Sequence, residues 1–232
     1  MSSLKGLILL FLFSIIYFKA NAQTSIGSEV GMTINRLHYQ DSNTNTSLAS
    51  ETGYAVNLIF QHHLNKYLLL EGAFGQLEKN YISKGEQGIY LKAQNTYLQL
   101  PVSAVYFLKI GNRFSGFISL GLYNAYWYKG TTNGLIPDVY SVDQIPGSTT
   151  EEQIKLIKIR SVHDFDSQID RRFEFGWLSG AGLNYNITRN VKASLKGQLF
   201  TGLTGQERIY YQQQSPKHNQ TIVITSGISY GF

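Results

Sequence analysis

The chain has 232 residues, of which 43 % are hydrophobic and 15 % charged, with no cysteine and a formal net charge of +5. Without cysteine there is no disulfide framework, no thiolate metal site, no cysteine nucleophile and no lipoprotein anchor. The positive excess is mild and scattered, which gives no footprint for nucleic acid. Its 16 tyrosines, 13 phenylalanines and 22 glycines suit a two-faced sheet bordered by aromatic girdles.

The first residues, MSSLKGLILLFLFSIIYFKANAQ, join Lys5 to an apolar run from Leu7 to Phe18 and the triplet Ala20-Asn21-Ala22. That pattern predicts a secretory signal over residues 1–22, cleaved after Ala22, and a mature domain over residues 23–232. The run is about 12 residues long, against about 20 for a spanning helix. No later segment carries an apolar run of about 18 residues, so helical spans are excluded. A membrane span then has to be a closed barrel, the other fold that satisfies its backbone in hydrocarbon.

In chain order, about eight segments separate their faces at the two-residue period of a strand. Ile26 to Leu37 sets Ile26, Val30, Met32 and Ile34 against Gly27, Glu29, Gly31 and Thr33. Tyr54 to His63 sets Tyr54, Val56, Leu58 and Phe60 against Ala55, Asn57, Ile59 and Gln61. The third segment sets Leu68, Leu70, Gly72 and Phe74 against Leu69, Glu71, Ala73 and Gly75. In the fourth, TYLQLPVSAVYFL, Leu98, Leu100, Val102, Ala104, Tyr106 and Leu108 face outward. Pro101, which cannot donate to a ladder, marks a bulge or local irregularity there. The fifth, Phe114 to Lys129, ends in YNAYWYKG. The sixth, Phe173 to Ile187, sets Phe173, Phe175, Trp177, Ala181, Leu183 and Tyr185 against Arg172, Glu174, Gly176, Gly180, Gly182 and Asn184. Val191 to Leu203 sets Val191, Ala193, Leu195, Leu199 and Leu203 against Lys192, Ser194, Lys196 and Gln198. The last strand puts Ile222, Ile224, Ile228, Tyr230 and Phe232 on one face.

Short turns at Leu64-Asn65-Lys66, Lys109 to Arg113 and Thr188-Arg189-Asn190 alternate with longer polar connections. The long ones lie at Tyr39 to Glu51, Ser83 to Gln94, Gly130 to Asp170 and Gln206 to Lys217. Outer-membrane barrels show this asymmetry, with short periplasmic turns and long outer loops. Within the longest connection, TTEEQIKLIKIRSV fits either a short helix or a strand extension.

The inward positions carry Glu29, Glu71 and Glu174 opposed by Arg172, Lys192, Lys196 and Lys129. An eight-stranded interior is just wide enough for side chains to fill, so these charges have to pair. The expected result is a salt-bridge network that plugs the lumen; a proton or ion path along the same residues is the alternative. Candidate loop interaction residues are Tyr126, Trp127 and Tyr128 with His163, Asp164 and Asp166 of HDFD. The rings also fit an interfacial girdle. HDFD allows an acid/base pair or weak metal site, but no G-x-S-x-G, HExxH or calcium-loop pattern accompanies it. No catalytic residue, cofactor or metal is expected.

The segments YLQLPVSAVYF and GWLSGAGLNYNI with VKASLKGQLFTGL, and the terminal aromatic, resemble the PorT-like outer-membrane β-barrel family of Gram-negative bacteria. In that family an L-P-hydrophobic strand, a G-x-G-x-x-Y strand and a barrel-closing last strand recur. The resemblance spans residues 23–232 and implies an outer-membrane location, with some members tied to protein secretion. It also implies that Tyr230 and Phe232 form the C-terminal signal read by barrel assembly machinery.

The expected protein is all-β, an eight-stranded antiparallel up-and-down transmembrane barrel, non-enzymatic and plugged. Its long loops would serve as an interaction surface in envelope biogenesis or protein secretion. Expected partners are outer-membrane lipid, the assembly machinery, and an envelope protein or surface glycan. A narrow channel for small solutes or ions is the main alternative; an enzyme at the barrel rim and a soluble lipocalin-like barrel are further rivals.

Overall fold

The computed structural model describes residues 24–38, 47–85, 88–138, 156–206 and 218–232. The signal expected over residues 1–22 lies outside the described residues. The strands are β1 (Thr24–His38), β2 (Ser47–His63), β3 (Leu68–Glu78), β4 (Tyr81–Lys84), β5 (Tyr90–Lys109), β6 (Phe114–Pro137), β7 (Leu156–Val162), β8 (Phe173–Asn186), β9 (Val191–Gly202) and β10 (His218–Gly231). Eight of them close a ring in the order β1-β2-β3-β5-β6-β8-β9-β10, every pair antiparallel. The seam runs from Ser25 opposite Gly231 to His38 opposite His218, and the Phe232 amide donates to the Thr24 carbonyl at 2.9 Å.

The short turns form for local reasons. Asn65 Oδ1 accepts from the amides of Tyr67 and Leu68 at 2.8 and 2.9 Å, and Thr188 Oγ1 accepts from those of Asn190 and Val191 at 3.3 and 3.0 Å. Such side-chain bonds fold the backbone back without a helix or ladder.

The outward face is predominantly apolar. Leu58, Leu100, Ile118, Leu120, Leu195 and Ile228 each stand more than half exposed on it, which water would penalise and hydrocarbon does not. Two aromatic belts bound this face. At the turn end are Tyr67 with Tyr106, Phe114 with Tyr185, and Tyr230 with Phe232; at the loop end are Tyr126 with Phe173, and Tyr54. From Phe173 to Tyr185 along β8 are 185 − 173 = 12 steps. At about 3.3 Å per residue and a tilt of about 45°, that rises about 28 Å, close to the apolar band of outer-membrane barrels.

The interior is filled. Tyr97, Tyr123, Leu178, Phe200, Val223 and Leu77 pack in one buried cluster, and Leu69, Val105 and Phe117 in a second. The alternation sets Leu69 inward among mainly polar residues; the other apolar side chains join it because a bore this narrow is close-packed like any core. The glycines of β8 make room for the large rings of β6. A Cβ on Gly176 would meet the Tyr123 ring at 2.6 Å, and one on Gly182 the Phe117 ring at 2.4 Å.

The strands run further than the alternation suggested. β4 continues the line of β3 between β2 and β5, and β7 continues that of β8 beside the far part of β6. The connection expected from Gly130 to Asp170 therefore begins as strand, through Pro137, and resumes as strand at Leu156–Val162. Of its two readings, LIKIRSV takes the extended one. Pro101 interrupts its ladder: Gly72 pairs Val102 and Gly75 pairs Gln99, while the two positions between stay unpaired without loss of register. The register shift falls at Thr96 and Tyr97, where β6 carries Tyr128 as an extra residue.

Leu120 lies midway between Phe114 and Tyr126 on β6. Replacing it with arginine is expected to destabilise the barrel by about 2–4 kcal/mol in urea unfolding from lipid vesicles. Unchanged stability would contradict the lipid-facing assignment.

Candidate functional site

The lumen is built in levels. Midway, Lys196 of β9 reaches across the bore to β3 and sideways to β1. Its Nζ stands 2.6 Å from Glu71 Oε1 on β3 and 3.2 Å from Glu29 Oε1 on β1. The ring order puts β9 and β3 opposite each other, so the bridge spans the bore. The second oxygens are served by neutral donors: Thr225 Oγ1 donates to Glu29 at 2.9 Å and Gln61 Nε2 to Glu71 at 2.7 Å. Beside these groups, bounded also by Asn57, Gln99 and Gln198, is a gap of only about 10 Å³, room for about one water.

Nearer the loop end, Glu174 on β8 is held by three donors. Lys79 forms an ion pair with its Oε1, Tyr123 donates to the same oxygen at 2.6 Å, and Asn219 Nδ2 donates to Oε2 at 2.6 Å. Lys79 is fully buried and lies 5.0 Å from the centres of the Tyr97 and Tyr123 rings, a cation–π sandwich. Asn35 extends the network through Asn219 and Thr221. Burying a charge is tolerable when it is paired and its remaining valences are filled; Glu174 has its own lysine, while midway Lys196 is shared by two carboxyl groups whose other oxygens take neutral donors.

Above Lys79 sits an aromatic cap. Trp127 stacks on Tyr97 at 6.1 Å and on His163 at 4.8 Å, with Phe165 edge-on at 4.9 Å. The segment from His163 to Arg172 folds over it, tied by His163 N to Gly130 O, Trp127 N to Arg172 O, and Arg171 N to Gln206 O. His163 Nε2 lies 3.0 Å from Asp170 Oδ2, which also accepts from the Asp166 amide at 2.8 Å.

The expected site residues thus divide. Glu29, Glu71, Lys196 and Glu174 enter buried networks in the bore. Arg172 does not: its guanidinium lies 4.5 Å from the Tyr126 ring and 4.2 Å from that of Phe165, and its Nε donates to Trp127 O. The counter-charge of Glu174 is Lys79, which is absent from the expected inward set and lies just past the end of β3, where the strand breaks before β4. Lys192 stands apart at the turn end, 3.4 Å from His63. Lys129 is exposed. In HDFD, His163 pairs with the more distant Asp170, while Asp164 and Asp166 are exposed and Asp166 Oδ1 caps a turn at Gln168 N. Trp127 points inward between an outward Tyr126 and an exposed Tyr128. Tyr230 and Phe232 are exposed together at the turn end. Among the described residues no three His, Cys, Asp or Glu side chains are placed to hold a metal.

A closed antiparallel ring with an apolar outer band, two aromatic belts and a polar, filled bore defines an outer-membrane β-barrel. The chain belongs to the outer membrane protein beta-barrel domain family, whose model matches residues 21–205. Solved structures of similar fold include OprG of Pseudomonas aeruginosa (11 % identity, 92 % of this chain and 97 % of that one, TM-score 0.49). Neisserial surface protein A is similar at 12 % identity over 92 % of this chain and 100 % of that one, TM-score 0.47. Ail, the attachment invasion locus protein of Yersinia pestis, is similar at 14 % identity over 92 % and 100 %, TM-score 0.44. No curated protein matches the chain in sequence.

Lys79→Met would leave Glu174 buried without its cation and is expected to cost about 3–5 kcal/mol in unfolding experiments. The double variant Lys79→Met with Glu174→Gln should recover most of that loss. If it recovers none, the two side chains do not act as a pair.

Proposed function

We propose that this protein is a non-enzymatic outer-membrane barrel whose lumen is closed by its own side chains and whose loop end is a recognition surface. The observation that carries this reading is the Lys196 bridge across the bore to Glu71, with a residual gap of about 10 Å³ beside it. The buried Lys79–Glu174 pair and the Trp127–His163 cap close the passage twice more.

Recognition would fall to the raised wall at the loop end. From Tyr128 to Pro137, β6 continues 137 − 128 = 9 steps beyond the upper belt, flanked by β5 and β7. There Lys158, Arg160 and the 73 %-exposed Val162 face solvent, on a scaffold that fixes their positions rigidly. An envelope protein or a surface glycan is the expected partner, besides the outer-membrane lipid around the band. We place the chain in the PorT-like branch and in envelope biogenesis or protein secretion, on the motifs YLQLPVSAVYF and GWLSGAGLNYNI. Export would follow cleavage after Ala22, and assembly would use Tyr230 and Phe232.

A second reading rests on the polar lining of the central gap by Glu29, Asn57, Gln99, Ser103 and Gln198: a narrow channel for ions or small solutes. Planar-bilayer recordings of the wild-type protein separate the two. A silent bilayer at protein levels that give a heat-dependent gel shift is the expected outcome; a stepwise conductance that Glu71→Ala abolishes would establish the channel instead.

A further inference from the structure

The turn end of the barrel opens into a cup of about 430 Å³, within the size range of ligand pockets. His63, Lys66, Tyr67, Phe107, Asn184 and Lys192 line it. Phe107 packs edge-on against Phe117 at 6.2 Å and so joins the apolar layer of Leu69, Val105 and Phe117.

The cup has positive charge and no acid. Residues 62–68, 105–118 and 182–195, which make the three short turns and the adjoining strand ends, contain no Asp or Glu but carry Lys66, Lys109, Arg113, Arg189 and Lys192. Elsewhere in the lumen each buried lysine meets a carboxyl group; Lys192 instead approaches another base, with its Nζ 3.4 Å from His63 Nε2 and no carboxylate partner among the described residues. The Lys192 charge, partly buried and without a carboxylate, calls for an anion to offset it.

A second observation is independent of charge. Asn184 is 8 % exposed, lines the cup, and makes no side-chain hydrogen bond among the described residues. Its amide reaches the surface of the cup, so its donors are available to a ligand oxygen. The third feature is an aromatic wall: His63 stacks on Phe107 with ring centres 5.7 Å apart and planes 18° from parallel.

We propose that this cup binds the phosphate group of a small ester, with Lys192 and Lys66 as its counter-charges, Asn184 as a donor, and the ester's apolar or aromatic part against Phe107 and His63. The site does not depend on whether the lumen conducts. A phosphate ester of this kind can reach the turn end as a soluble molecule or as a lipid headgroup.

The test is calorimetric titration of phenyl phosphate into the full barrel in phosphatidylcholine nanodiscs. Binding is expected to weaken at least tenfold in Lys192→Gln and with added salt, and to be unchanged in Lys84→Gln at the exposed end of β4. Inorganic phosphate should bind more weakly than phenyl phosphate; equal binding would overturn the aromatic part of the proposal. Asn184→Leu, checked for folding by its heat-dependent gel shift, should weaken binding too and replaces Lys192→Gln if that variant fails to fold. Repetition in discs containing phosphatidylglycerol separates the sources: competition supports a lipid headgroup, and unchanged binding supports a soluble ester. Absence of phenyl phosphate binding, or equal affinity in wild type and the folded variants, overturns the site.

Discussion

Everything in this molecule follows from the requirement that no backbone N–H or C=O be left unpaired in hydrocarbon. β1 and β10 meet in an unbroken register from Ser25 with Gly231 to His38 with His218, and that seam removes the last free edges of the membrane-spanning sheet. Once the ring is shut, each wall residue faces either lipid or lumen, with no third environment. The period of two then sorts side chains without exception across the band, from Ile26 and Leu58 outward to Glu29 and Asn57 inward.

Closure creates a second problem inside. A ring of eight strands leaves a bore that side chains must fill, and the residues alternating inward include charges. The structure answers with pairs whose partners come from distant strands. Three carboxyl groups, Glu29, Glu71 and Glu174, meet two lysines, Lys196 and Lys79, and hydroxyl or amide donors from Thr225, Gln61, Tyr123 and Asn219 serve the remaining oxygens. Desolvation would make any one of these groups costly alone. Together with the rings of Tyr97, Tyr123, Phe117 and Phe200 they give a lumen that behaves as a core.

The two ends of that core differ in chemistry. At the loop end the wall rises past the upper belt, and Trp127, His163 and Phe165 cap the bore. At the turn end the wall stops at its short turns, the acids disappear, and Lys192 and His63 share an open cup. A partner at one end would meet a broad surface with exposed apolar and basic residues; a ligand at the other would meet a concave, basic, aromatic site. Between the two ends lie the paired charges and packed rings of the bore.

How much of this was legible beforehand depends on whether it is local. Alternation, turn chemistry and aromatic spacing repeat within a few residues, so the all-β class, the eight wall strands, the outward face and the positions of Glu29, Glu71, Glu174 and Lys196 could be read from the chain. Strand ends were harder, because the β4 and β7 extensions are stabilised by neighbours across the sheet and carry weaker alternation. Lys79 was missed because the irregularity at Asn80 breaks the period just where it points inward. Parity alone puts Arg172 in the bore, yet the Tyr126 and Phe165 rings hold it elsewhere. By itself the sequence determined which face each wall residue takes, since that is settled by a two-residue repeat. Only the tertiary structure decided who meets whom: Lys196 lies 125 positions from Glu71, and Lys79 lies 95 from Glu174. Barrel register, not sequence proximity, brings those charges across the bore.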